Sequence, residues 1–177
     1  PYEVRNIGTY VYLGQKHRAH DLVDWFLRHQ HPSAWNQWAE VVWSDVRAPK
    51  FIGDMPHTWV GSDFINAVRA MFAFERDDLG AVVVGAGLKP AWIEGGVEVR
   101  ALPTHFGSLT YSASMRGSRR VRLSVAGTIN AHRHPLLVPV DLLDGTVRSA
   151  SVNGRPVLPS GGFLVINTLP AEVVLSY

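Results

Sequence analysis

The chain has 177 residues, 46% hydrophobic and 18% charged, with a formal net charge of +2 and no cysteine. That composition belongs to a folded globular protein of one or two domains and excludes disulfides and thiolate chemistry. The densest basic stretch, Arg116-Gly-Ser-Arg-Arg-Val-Arg122, is too short for a phosphate-binding footprint, and no apolar run reaches the roughly 20 residues of a membrane helix. Neither nucleic acid nor membrane is expected as a partner.

Residues 1–76 read as helical. Val4, Ile7, Tyr10, Val11 and Leu13 recur at helical spacing and stop at Gly14. A second helix is expected over Asp21 to Gln30, with Leu22, Trp25, Phe26 and His29 on one face. Its acids, Asp21 and Asp24, fall early and Arg28 falls late, as the helix dipole favours, and Pro32 ends it. A third helix is expected from about Trp59 to Glu75, capped by Thr58, with Val60, Phe64, Val68, Met71 and Phe72 along one stripe. The connection between the second and third helices, roughly residues 31–57, is long enough to imply function or structure of its own.

From about residue 79 the period changes. Ala81–Val84, 97–102, 107–113, 120–125, 136–140, 147–152, Phe163–Ile166 and 171–177 are short and rich in β-branched residues. Val121, Leu123 and Val125 alternate with Arg120, Arg122 and Ser124, the signature of a half-buried strand. Asn153-Gly154 reads as a two-residue hairpin turn. Seven or eight such strands predict an antiparallel β-sandwich. Charge shifts at the same place, with seven Lys/Arg and eight Asp/Glu before Arg76 and ten and seven from it onward. The expected organisation is a helical segment over 1–76 and a sandwich over 77–177, an α+β chain. Three helices bury little apolar surface alone, and the chain begins at Pro1 within helical sequence, so further helices are expected from the remaining N-terminal part of the same protein.

Five of the six tryptophans lie between residues 25 and 59, around Trp35-Asn-Gln-Trp-Ala-Glu-Val-Val-Trp43 and Gly53-Asp-Met-Pro-His-Thr-Trp-Val-Gly61. Indole faces stack on the apolar faces of sugars, and carboxylates accept hydroxyl hydrogen bonds or move protons. Glu40 and Asp54 are therefore the candidate catalytic carboxylates, with Asp45 a weaker one. Trp35, Trp38, Trp43, Trp59 and His57 are the candidate substrate contacts. Each also has a plain structural reading: core packing for a tryptophan, a solvated or Arg47-paired Glu40, a turn for Asp54, a helix start for His57.

His17, His20, His29 and His31 have no carboxylate or cysteine at ligand spacing, so no metal is expected. Gly85-Ala-Gly87 opens into Leu88-Lys-Pro90, not a helix, so no dinucleotide cofactor is expected. Ser108, Ser112 and Ser114 alternate along a strand without the context of a nucleophile elbow.

The aromatic and Glu loop, the His-Gly helix start and the closing sandwich together resemble the end of (α/α)6-barrel glycosidases, the alpha-L-rhamnosidase family in particular. Trp38-Ala-Glu40 stands where that family has adjacent Trp and Glu. His57-Thr-Trp-Val-Gly61 matches its His and Gly, with Pro56 in place of the Asn before the His. Ala91 to Leu109 looks like the start of its appended sandwich. The resemblance implies a bacterial glycoside hydrolase whose last barrel helices and sandwich lie in this chain. Glu40 would be its general base, His57 a substrate contact, and its general acid would lie elsewhere. A carbohydrate-binding module without chemistry, or a purely architectural part, are the rival expectations.

Overall fold

A computed structural model describes residues 1–43, 45, 47–48, 52–117 and 119–177. The chain is α+β, with four α-helices and two sheets among the described residues. It divides into two compact units, Pro1–Met71 and Phe72–Tyr177.

In the first unit a 3-10 turn, Tyr2–Arg5, runs into α1 (Asn6–Tyr12), which buries Ile7 and Val11. Gly14 turns the chain at φ 71°, a left-handed conformation that costs glycine little. The Gln15 N–H closes this turn on the Tyr10 carbonyl at 2.8 Å.

Helix α2 (Lys16–Arg28) begins at Lys16 and not at Asp21. Asp21 and Asp24 therefore sit mid-helix, and the dipole argument for them does not apply. The buried line is Ala19, Val23 and Phe26. Trp25 is 48% exposed and Leu22 only half-buried. The i, i+4, i+7 stripe of smaller residues faces inward, and the larger Trp25 is left on its shoulder.

Helix α3 (Thr58–Phe72) buries Val60, Ala67 and Met71. It approaches α1 closely, since a Cβ on Gly8 would stand 3.4 Å from Ala70 Cβ. An Arg5–Asp63 ion pair at 2.9 Å joins the 3-10 turn to the same helix.

The expected helix over 59–75 stops at Phe72 because its next residues find a partner strand. Residues Ala73–Arg76 form β1, which pairs antiparallel with β2 (Ala81–Val84) from Ala73↔Val84 to Arg76↔Ala81. The Phe72 carbonyl then accepts from the Gly85 N–H at 2.7 Å and the Tyr111 hydroxyl at 2.9 Å. Both lone pairs of that carbonyl are thereby satisfied within the second unit.

A short helix, α4 (Pro90–Gly95), follows Leu88 and Lys89, where no helix was expected; Pro90 at its first position suits a helix start. The remaining strands are β3 (Val97–Thr104), β4 (Gly107–Met115), β5 (Arg120–Gly127), β6 (Leu136–Pro139), β7 (Ser149–Val152), β8 (Arg155–Pro156), β9 (Phe163–Ile166) and β10 (Ala171–Ser176). One sheet has the order β1-β2-β6-β9, the other β3-β4-β5-β10-β7-β8. Val82, Val84, Leu136, Val138, Leu164 and Ile166 of the first share one buried cluster with Tyr111, Leu123, Val125, Val173 and Leu175 of the second. The two sheets are thus the layers of one sandwich core.

Among the described residues ten strands replace the expected seven or eight, and β2 pairs with β6 in parallel. The turn between β7 and β8 holds Asn153 at φ 50° and Gly154 at φ 74°, the two left-handed residues of the expected hairpin. Among the described residues, no helix is long and apolar enough to cross a membrane.

Candidate functional site: an aromatic pocket and a carboxylate ladder

The long connection in the first unit is not a slack loop. After a 3-10 turn at Ser33–Trp35 the chain runs out along residues 37–43 and returns along 52–57. Three backbone hydrogen bonds hold the two passes together. The Glu40 N–H donates to Asp54 (3.0 Å), the Gly53 N–H to Val41 (2.9 Å) and the His57 N–H to Trp38 (2.9 Å). Val42 bridges Ile52 beyond them. Gly53 is needed there for close approach, because a Cβ would meet Val41 Cγ2 at 2.6 Å.

The ladder sets the backbones of Glu40 and Asp54 side by side, although 14 positions (54 − 40) separate them in the chain. Glu40 is half-buried and Asp54 exposed. Among the described residues neither carboxylate has an ion-pair or side-chain hydrogen-bond partner. Arg47, the partner weighed for Glu40, instead donates its backbone N–H to Asp45 Oδ1 at 2.9 Å.

The aromatic residues divide by burial. Trp38 is 8% exposed, its ring 4.9 Å from Phe64 and 6.0 Å from Phe26 by centroid. It is a core residue that ties α2, the ladder and α3 together. Trp35, Trp43 and Trp59 stand 61%, 55% and 65% exposed. Trp59 and His57 both meet the edge of Tyr2, at 6.1 and 5.8 Å. The His57 Nδ1 accepts from the Val60 N–H at 3.4 Å, and its carbonyl accepts from the Gly61 N–H at 3.0 Å. His57, and not Thr58, therefore caps α3, which leaves its Nε2 as the protonated nitrogen of the neutral ring.

One wall of a cavity of about 360 Å³ is built from Trp38, Trp43, Ala39 and Val42; the other comes from Trp25, Phe26, His29, Gln30 and His31. Its size falls in the range of small-molecule sites. The His29 ring stacks on Trp25 at 4.4 Å and its Nδ1–H donates to the Trp25 carbonyl at 2.8 Å. Nε2 is thereby left as an acceptor. The Gln30 amide donates to the Gln37 carbonyl at 3.0 Å, which fixes the loop mouth.

Of the expected site residues, the structure brings Trp38 and Trp43 to this pocket. Glu40 and Asp54 sit together on the ladder but do not line it, and His57 and Trp59 form a separate cluster with Tyr2. Trp35 lines none of these. Trp25, His29 and His31 are the residues that sequence reasoning missed. The i, i+4 pairing of Trp25 with His29 at the end of α2 was legible, but not the hollow it faces. Among the described residues no three His, Asp or Glu side chains converge on a point that would hold a metal.

Neither the known protein-family models nor the curated proteins compared with this chain match it.

Proposed function

We propose that this chain is the closing portion of a bacterial glycoside hydrolase that acts on plant or microbial polysaccharides, with the last helices of an (α/α)6 barrel and an appended sandwich. One observation carries the reading. The segment that supplies Trp38 and Trp43 to an aromatic pocket also carries Glu40, and its return pass sets Asp54 beside it. In this scheme Glu40 takes a proton from water as the water oxygen bonds to the anomeric carbon with inversion. The glycosidic carbon–oxygen bond breaks, and the leaving oxygen takes its proton from an acid in the upstream part of the protein. Asp54 accepts a hydrogen bond from a sugar hydroxyl, and His57 and Trp59 contact the substrate beyond it.

Support for missing barrel helices comes from the apolar side chains the first unit leaves in solvent: Leu13 at 61%, Leu27 at 52% and Ile65 at 66% exposure stand on or beside its three helices. The test is kinetic. Joined to its upstream residues, the protein is expected to hydrolyse oligosaccharides, and Glu40→Gln should lower kcat about 10²–10⁴-fold. Undiminished turnover by the Glu40→Gln protein would refute the assignment.

A second reading is a carbohydrate-binding module without turnover. The separation of Glu40 and Asp54 from the pocket lining favours it. Saturable quenching of tryptophan fluorescence by oligosaccharides, with no hydrolysis by the whole protein, would select it.

A further inference from the structure

The alternating serines of β4 have no part in the reading above, yet the sandwich puts them to use. With Tyr111 and Ala113 pointing into the core, Ser108, Thr110, Ser112 and Ser114 form a line of hydroxyls along the opposite face of the six-stranded sheet. Register extends that face sideways. Glu98 pairs with Ser112, Ser112 with Ser124, and Ser124 with Glu172, one straight row across four strands. Asn153 continues it by exchanging hydrogen bonds with the Glu172 backbone at 2.7 and 2.8 Å. At about 4.8 Å per strand the row from Glu98 to Asn153 is roughly 19 Å long.

Small side chains in the middle and long ones at the sides make this face a trough, with a cavity of about 440 Å³ over Thr110, Ser112, Ser124 and Ala126. One bank is the Glu98–Arg100 pair, two hydrogen bonds at 2.7 and 2.8 Å. The other is Glu172 on β10, which Arg122 reaches at 3.5 Å from the neighbouring outward position of β5. The Arg100 guanidinium holds the Glu98 carboxyl below the usual carboxylate range, so that bank stays ionised. Beside it the strand bulges between Val99 and Leu102, and Ala101 takes φ 48°, unusual for a residue with a side chain. Its N–H is held by Thr110 Oγ1 at 3.0 Å, on the floor of the trough. Strained, bulged backbone of this kind gathers at binding sites.

We propose that this trough binds a neutral, hydroxyl-rich chain, an oligosaccharide. The ligand class follows from what the trough offers. The two carboxylates that line it are each paired with a guanidinium beside it, Glu98 with Arg100 and Glu172 with Arg122, which leaves no net charge to favour an acidic or a basic chain. Its floor lies mid-sheet on β4 and β5, where backbone N–H and C=O groups are spent in the ladders, so a chain lying on the floor finds side chains and no free backbone to pair with. What remains is hydroxyls flanked by charged donors and acceptors, the complement of sugar hydroxyls. The trough belongs to the second unit alone, and its ligand class rests on its own chemistry, independent of Glu40.

The test is a titration of the isotope-labelled 177-residue chain with maltohexaose, cellohexaose and xylohexaose, with a galacturonic acid oligomer and a Gly-Ser peptide alongside. At least one neutral sugar is expected to shift the backbone amide signals of Ser112, Ser124 and Glu172 at millimolar concentration. Ser112→Arg, which fills the floor, should weaken that binding by about tenfold or more, and the milder Glu172→Gln should weaken it in a chain whose spectrum is otherwise unchanged. Amide shifts confined to residues 25–43, a response only to the acidic sugar or the peptide, or no response to any neutral sugar would each overturn the proposal.

Discussion

Removal of the Trp38 ring separates the structural tryptophan from the exposed ones. Trp38 is 8% exposed and packs on Phe26 and Phe64. Truncation of a buried aromatic to alanine costs about 3–5 kcal/mol, since transfer and cavity terms add. At roughly 0.05–0.15 kcal/mol per residue, a unit of 71 residues is stable by only about 4–11 kcal/mol. Trp38→Ala should therefore consume between about a quarter and all of the first unit's stability. With a urea dependence of about 1–2 kcal/mol/M, the midpoint should fall by roughly 1.5–5 M, or the unit should be unfolded in buffer. The assay is urea unfolding followed by far-UV circular dichroism at 222 nm, which reads the helices α1 to α3. Trp43→Ala, with a 55% exposed ring, is the matched control and should cost within about 0.5 kcal/mol. Equal and small losses for the two variants would show that no aromatic layer joins α2, the ladder and α3.

Gly53→Ala should destabilise the first unit by about 1–3 kcal/mol in the same assay, because the new Cβ collides with Val41 across the ladder. Trp43→Ala should abolish quenching by whichever oligosaccharide fills the pocket, with the fold intact by circular dichroism. Burial raises the Tyr177 phenol to about 12 and pushes Tyr111 up further. Both are protonated in the folded chain where the unfolded chain, with a pKa near 10, has lost its protons. Their stabilisation is complete below pH 10 and drains away above it, up to about pH 12 for Tyr177. Urea midpoints measured between pH 8 and 11 should fall only above about 10, and less steeply for Tyr111→Phe.

The sandwich was largely legible because its signals are local. The alternation of Val121, Leu123 and Val125 and the Asn153-Gly154 turn each state their own conformation. The end of α3 was not legible: Phe72 to Arg76 suits a helix, and only its pairing with residues 81–84 draws it into a strand. The start of α2 was missed because Gln15 provides no side-chain cap. In the candidate site the residue types were readable and their placement was not. Whether a tryptophan is core or exposed depends on which helix it meets, so Trp38 and Trp43, five positions apart (43 − 38), take opposite roles. The adjacency of Glu40 and Asp54 arises from a return pass that no short-range pattern encodes.

The strand β10 lies between β5 and β7, zipped to both. Proteolysis before Ala171 would leave the β3-β4-β5 meander and the β7-β8 hairpin with no shared seam. During synthesis the same arrangement delays closure of the wide sheet until its final strand clears the ribosome, and the growing chain must hold the apolar faces of Val121, Leu123 and Val125 unsealed until then.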